Sequence, residues 1–365
     1  MQDLQRILID GQPVGQPGAA VSVLDRGLHY GDGLFETIAC EGGRPRLLER
    51  HLQRLAAGGE RLGLHLSDGA ELAREVRALA TDTSRAVVKL LLTRGVSIAR
   101  GYAPAGSEHT LRIALRYAWP GVDPEQAGQG VRVRRATLRL GENPALAGIK
   151  HCNRLEQVLA RRECSDPDIA EALLFSSSGA LVSGTMSNVF LVRGSQVLTP
   201  CIDRCGVAGV MRGLVLEIAG EAGISAEERR LDAADLAAAE ELFLTNALTG
   251  IRPVRELDGT GVVLGPVTRR SSSSAPLRQA GGCGCSTNSR HQGQRQRCYA
   301  SRSSRGRVCA ACSRSSSRRE ACAMHARWRG TCGCADAGRV CRAAPTSFPC
   351  MRVRRRSWRC SRRAR

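Results

Sequence analysis

The composition of this chain changes abruptly near residue 270, and that break decides which part can fold around a core. Ser271 to Arg365 contain 22 Arg, no Lys and only two acids, Glu320 and Asp336. Set against chain totals of 54 basic and 34 acidic residues, this leaves 32 of each in 1–270. The first 270 residues are formally neutral, so the net charge of +20 belongs to the tail. Any argument from basicity to nucleic-acid binding applies to that tail alone. The tail is Ser, Arg, Cys, Gly and Ala with little Leu, Ile or Val, which cannot form a packed core. It reads as disordered, or as a GC-rich gene translated in the wrong frame. Cys309-Ala-Ala-Cys312 lacks a second such pair, with only His291 and His325 nearby in type, so no metal site is expected.

Five cysteines lie in 1–270 at irregular spacing (Cys40, Cys152, Cys164, Cys201, Cys205), which is no disulfide framework. No charged start followed by an apolar run marks a secretory signal. No apolar stretch reaches the roughly 18 residues of a membrane span. The expectation is a soluble, cytoplasmic protein of about 270 residues with a proper core.

Hydrophobic patterning points to a mixed α/β chain in two domains. Ile7-Leu8-Ile9 before Asp10-Gly11 reads as a strand entering a hairpin. Leu48, Leu52 and Leu55 recur at helical spacing, Val87 to Leu92 form a core strand, and Leu111, Ile113, Leu115 and Tyr117 alternate. Trp119-Pro120-Gly121 breaks the pattern. The expected domains are 1–118 and 125–270, joined by a linker at 119–124 and followed by the tail at 271–365. In the second domain Leu173 to Phe175, Val189 to Val192 and Glu241 to Thr245 read as strands. Val207, Val210, Met211, Leu214, Val215 and Ile218 fit a helix opened by the loop Gly206 to Gly209.

The chemistry-bearing residues are few. The chain has two lysines, Lys89 and Lys150, despite abundant arginine. Lys89 sits in a strand pattern and reads as facing solvent or an acid. Lys150 lies in a loop before the helix that contains Leu155, Val158 and Leu159. A Schiff-base lysine needs a lowered pKa on a short fixed segment, and Lys150 could be one, as it could be a surface lysine. The loop opening the Val210 helix could bind a phosphate through free N–H groups, or be an ordinary glycine turn. Arg54, in His51-Leu-Gln-Arg54-Leu55, offers a cation that by itself reads as a solvated helix face.

The segment Gly148-Ile-Lys-His-Cys-Asn-Arg-Leu-Glu-Gln-Val-Leu159 resembles the lysine segment of aminodeoxychorismate lyases, within the class IV pyridoxal-5′-phosphate (PLP) enzymes of branched-chain and D-amino-acid aminotransferase fold. His29 to Thr37, His51 to Leu55, Ser187 to Phe190, Gly206 to Arg212 and Thr245 to Ala247 are similar to family motifs in the same order, across about residues 5–269. The lyase assignment rests on the lysine segment and on Arg94-Gly95 through Arg100-Gly101-Tyr102. The resemblance implies a two-domain D-amino-acid-aminotransferase-like fold, a homodimer and PLP as cofactor. It implies that Lys150 binds the cofactor and moves the proton, with Thr37 assisting. Arg54, the N–H groups of Val210 and Met211, and Asn246-Ala247 would hold the phosphate. Tyr30, Arg100 and, more weakly, Arg94 would meet substrate.

One position departs from the family. Where its members place a glutamate against the pyridine nitrogen, this chain has Ser183. A serine holds that nitrogen less firmly protonated and weakens the ring as an electron sink, which favours elimination over transamination. The implied reaction converts 4-amino-4-deoxychorismate to 4-aminobenzoate and pyruvate in folate synthesis. A D-amino-acid or branched-chain aminotransferase is the alternative, and a non-catalytic protein inactivated by its altered C-terminus is another. No membrane partner is expected, and nucleic acid only through the tail.

Overall fold

The computed structural model describes residues 4–15, 19–66, 68–98, 100–106, 108–120, 129–266 and 268. The tail expected at 271–365 and the linker positions 121–124 lie outside the described residues.

The residues before Trp119 build one antiparallel sheet. Its strands are β1 (Leu4–Ile9), β2 (Gln12–Val14), β3 (Gly33–Glu41), β4 (Arg44–Pro45), β5 (Arg85–Thr93) and β6 (Leu111–Ala118), in the order β2-β1-β6-β5-β3-β4. The hairpin expected at Asp10-Gly11 joins β1 to β2, with Ile9 opposite Gln12. Helices α1 (Arg26–Tyr30), α2 (Leu48–Leu62) and α3 (Gly69–Ala80) accompany it. Strand side chains alternate between faces. Leu34, Ile38 and Cys40 of β3 and Val88, Leu90 and Leu92 of β5 turn to Leu48 and Leu55 of α2 and Leu72, Val76 and Leu79 of α3. Fully burying each such side chain stabilises the fold by about 1.5–3 kcal/mol. The opposite face carries Phe35, Thr37, Lys89 and Leu91, all half-buried, with Thr37 directly across from Lys89. That face, not covered by the helices, looks toward the lysine segment.

From Val131 onward the strands form a mixed sheet. They are β7 (Val131–Leu140), β8 (Ile169–Ser176), β9 (Leu181–Gly184), β10 (Asn188–Arg193), β11 (Gln196–Pro200), β12 (Ala226–Arg229), β13 (Glu241–Asn246), β14 (Gly250–Leu257) and β15 (Thr260–Gly261). Their order is β12-β11-β10-β13-β14-β7-β8-β9, with β15 against β14. Two parallel neighbours, β7 with β8 and β11 with β12, are joined through helices α4 (Leu155–Arg162) and α5 (Val210–Glu221), because a parallel pair needs a crossover. A last short helix, α6 (Ala233–Ala237), precedes β13. The rings of Phe190 and Phe243 stack at 4.8 Å where β10 and β13 pair. The mixed α/β class expected from the sequence is what the chain adopts.

The expected helix over Val207 to Ile218 starts later than its periodicity suggests. Val207 lies in the loop, where it pairs with Gly148, and α5 begins at Val210. Leu47 packs on Val210, Met211 and Leu214, and Arg50 forks onto Glu217 at 2.6 and 2.5 Å. These contacts set α2 beside the first turn of α5. No described helix is long and apolar enough to cross a membrane.

Candidate active site

The lysine segment is held by backbone on both sides. Lys150 accepts from the N–H of Phe35 at 3.0 Å, and Cys152 donates to Gly33 at 2.9 Å, so the segment borders the start of β3. Two residues earlier, Gly148 donates to Gly206 at 3.0 Å and accepts from Ala208 at 3.1 Å. Asn153 donates to Gly31 at 3.3 Å, and a Cβ on Gly31, at φ 64°, would fall 2.4 Å from the Asn153 side chain. A short segment pinned at this many points suits an amine that must stay beside one partner.

The amine itself is tuned. Lys150 Nζ sits 4.4 Å from the centroid of the Phe35 ring. Burial, and after it the charge of Arg54, lower its pKa from 10.5 to about 8, against the opposing pull of Glu36. A useful fraction is therefore neutral and nucleophilic near pH 7. Next to it, burial and Arg154 hold His151 down at about 4, so this imidazole adds no charge at neutral pH.

Arg54 does not lie on a solvated helix face. Its Nε and Nη2 donate to the Glu36 carboxylate at 2.8 and 2.5 Å, and its Nη1 donates to the Ala208 carbonyl at 2.9 Å. Glu36 is fully buried and also lies 2.7 Å from Nδ1 of His51. Burial alone would raise its pKa, but the His51 and Arg54 hydrogen bonds and the Arg54 charge outweigh it and hold the carboxyl at about 2. Neither Glu36 nor His51 was singled out in the sequence. The available signal was an acid at the inward position of Leu34-Phe-Glu-Thr-Ile38, where alternation calls for an apolar residue.

The Ala208 carbonyl that Arg54 reaches precedes α5 by two residues. That helix has Gly209 as its N-cap and no capping side chain, leaving the N–H groups of Val210 and Met211 without intrahelical acceptors. Gly209 is required there: a Cβ would sit 1.9 Å from Oδ1 of Asn188, whose amide donates to Val207. Asn188 pairs with Thr245, whose buried hydroxyl has no partner. The adjacent Asn246 accepts from Leu248, Thr249 N and Thr249 Oγ1, shaping the turn that contains Ala247. Free helix N–H groups, a guanidinium and an unused hydroxyl form the donor set a phosphate needs.

Ser183 is buried, and its hydroxyl donates to the Gly184 carbonyl at 2.8 Å. The buried acid beside Gly184, Glu171, is committed elsewhere. It accepts from Thr185 N at 2.9 Å, Met186 N at 3.0 Å and Ser187 Oγ at 2.9 Å, and from the Thr185 hydroxyl, closing the turn after β9.

The residues expected to meet substrate divide into two groups. Arg94 is committed within the chain: it donates to both Asp32 oxygens at 2.7 and 3.1 Å and to the carbonyls of Leu62 and Gly63. Arg26 shares Asp32 and donates to the carbonyls of Gly101 and Tyr102 at 3.2 and 2.6 Å, clipping the loop that carries Arg100. Arg100 is exposed, and Tyr30, half-buried, faces the Tyr102 ring at 5.4 Å. Lys89, expected to face solvent or an acid, is half-buried, with Nζ 5.4 Å from the same Phe35 ring as Lys150. Thr37 lies across from Lys89 and one step from Phe35 on that face. Among the described residues no cluster could hold a metal ion.

Comparison with known proteins agrees with this geometry. The profile of the class IV amino-transferase family matches residues 33–257. An aminodeoxychorismate lyase of Vibrio harveyi is 32% identical over 260 residues, covering 70% of this chain and 96% of that protein. The D-alanine aminotransferase of Bacillus licheniformis is 28% identical over 276 residues, covering 72% and 93%. The crystal structure of 4-amino-4-deoxychorismate lyase from Pseudomonas aeruginosa superposes with a TM-score of 0.68 at 45% identity, covering 73% of this chain and 96% of that one. The match spans the strand before the lysine, the lysine segment and the helix after it, and the chain belongs to the class IV amino-transferase family, whose enzymes depend on PLP.

Proposed function

We propose that this chain is an aminodeoxychorismate lyase that takes 4-amino-4-deoxychorismate to 4-aminobenzoate and pyruvate with PLP, supplying folate synthesis. The observation that carries the reading is the Lys150 amine, held at about 8 on a segment tied directly to the loop of the uncapped α5. The similarity to the Pseudomonas lyase at 45% identity favours the lyase branch.

The residues present fit the cofactor. Arg54, the N–H groups of Val210 and Met211, and the turn at Thr245-Asn246-Ala247 would hold its phosphate; Ser183 would meet its ring nitrogen. When bound, PLP supplies an aldehyde that condenses with amines and a ring that takes up electrons. Lys150 would hold the cofactor through its amine and, when free, would be the base that accepts the proton from the substrate's amine-bearing carbon. Thr37, on the same face of β3 as Phe35, would assist that transfer. The neighbouring ether bond to the enolpyruvyl group would break as the six-membered ring becomes aromatic; the departing enolpyruvate takes up a proton to become pyruvate, and the returning Lys150 amine would free 4-aminobenzoate. The substrate carries two carboxylates, for which Lys89 and Arg100 offer cations. Arg94, spent on Asp32 and two carbonyls, ties Asp32 to the end of α2 instead.

The Ser183 hydroxyl supports elimination over transamination, because no described carboxylate replaces it to keep the ring nitrogen protonated. The exposed apolar residues Leu155, Val158 and Leu159 of α4 suit a homodimer contact, and the proposed location is cytoplasmic. The test supplies aminodeoxychorismate to the PLP-loaded protein without any keto acid. The proposal expects 4-aminobenzoate and pyruvate in equal amounts. A protein that makes neither, yet converts D-alanine or a branched-chain amino acid only when a keto acid is added, is the aminotransferase its other relatives suggest.

A further inference from the structure

Glu36 occupies a position that packing alone would give to an apolar residue. Its inward neighbours on β3, Leu34 and Ile38, belong to the core, and it has no exposed surface. A buried carboxylate is costly unless its partners are arranged around it. Here they are: one oxygen takes Nε of Arg54, and the other takes Nη2 of Arg54 and Nδ1 of His51. His51 and Arg54 stand three residues apart on α2, on one face of the helix.

The effect on Arg54 can be followed donor by donor. A guanidinium has five N–H donors in one plane. Glu36 takes two and the Ala208 carbonyl takes a third, on Nη1. The two left over are one on each terminal nitrogen, the pair that binds a phosphate oxygen fork. A free arginine would lose rotamer freedom on closing over an anion, whereas one fixed at three points has already done so. We infer that Glu36 and His51 are positioning residues of the anion site: Glu36 aims Arg54 at the first turn of α5, and His51 holds Glu36 in place. This deepens the PLP reading of the site and rests on it.

The test uses the full chain and three variants. Glu36→Gln keeps the shape and removes the charge; His51→Leu removes the donor; His51→Asn returns an amide N–H near the place of Nδ1. Each is titrated with PLP, with pyridoxal, which has no phosphate, and with inorganic phosphate as competitor, next to circular dichroism of the cofactor-free protein. Glu36→Gln and His51→Leu are expected to lose about tenfold or more in affinity for PLP and inorganic phosphate, the size of one charged hydrogen bond. Pyridoxal affinity does not fall in either, and His51→Asn recovers most of the PLP affinity. Should Glu36→Gln fail to fold, the two His51 variants decide the matter. Unchanged PLP affinity in the variants overturns the inference alone, as does an equal loss toward pyridoxal, which marks a general defect. A wild-type chain that binds neither PLP nor phosphate removes the PLP reading and this inference with it.

Discussion

Lys89 and Lys150 converge on one aromatic ring, with Nζ atoms 5.4 and 4.4 Å from the Phe35 centroid. They come from different parts of the chain, one from the second strand of the first sheet's central pair, the other from the loop before α4. The face of a ring draws cations, and two on one ring concentrate positive charge beside the reacting amine. Under the proposed function, a carboxylate-bearing substrate entering there would meet Lys89 while Lys150 carries the chemistry.

Replacing Lys89 with Met therefore separates binding from attachment. Steady-state kinetics should show KM for aminodeoxychorismate up about tenfold, the loss of one charged contact, with cofactor affinity unchanged. A Lys89→Met protein with an unaltered KM removes Lys89 from the substrate site.

The pH at which the amine of the cofactor-free protein reacts follows from its environment. Because burial and then Arg54 hold Lys150 down at about 8, its reaction with pyridoxal should rise with pH to a midpoint near 8, well below the 10.5 of an ordinary lysine. The stability sign is opposite to that of a paired lysine. The folded state binds the proton more weakly than the unfolded chain, so this group costs stability below about 8 and the cost fades as pH rises toward 10.5. Comparing denaturant unfolding of wild type and Lys150→Met across that range isolates the effect; parallel curves contradict it.

Glu36 titrates in the other direction. With the carboxyl held at about 2 against 4.5, its partners contribute stability that is complete above pH 4.5 and vanishes as pH falls through 2. The amount is about 3 kcal/mol by the pKa difference. Wild type should lose more stability than Glu36→Gln between those pH values in acid unfolding monitored by circular dichroism. Equal losses would leave Glu36 without its assigned anchoring.

Arg26 clips the loop of Arg100 through the carbonyls of Gly101 and Tyr102. Arg26→Met should release that loop and raise KM for substrate about tenfold, with kcat changed much less and PLP affinity untouched, as expected where uniform binding is lost. A fall in kcat with KM unmoved would place this loop in the chemical step.

Much of this was legible in the sequence, for identifiable reasons. Alternation placed Leu111 to Tyr117 in β6, and the spacing of Leu48, Leu52 and Leu55 placed α2, because each covers a single apolar face. The ordered motifs marked Lys150, Arg54 and the loop before α5, segments that hydrogen bonds through Gly148 and Ala208 tie together. What stayed hidden depends on contacts between distant segments. Lys89 has the same local pattern whether its face meets water or Phe35, and only the pairing of β3 with β5 and the approach of residue 150 decide it. Arg94 looked available to substrate because Asp32 lies 62 positions away in sequence. Val207 fitted the helical period yet is drawn out of α5 by pairing with Gly148. Strand β7, rich in arginine, lacks an apolar run because its charged residues find partners such as Glu163, Glu256 and Asp258.

The most direct measurement is chemical. The purified chain is loaded with PLP, reduced with borohydride, digested, and the modified peptide identified by mass spectrometry. The account predicts a single pyridoxyl phosphate mass on Lys150, absent in Lys150→Ala. A label on Lys89, or none on either lysine, contradicts it.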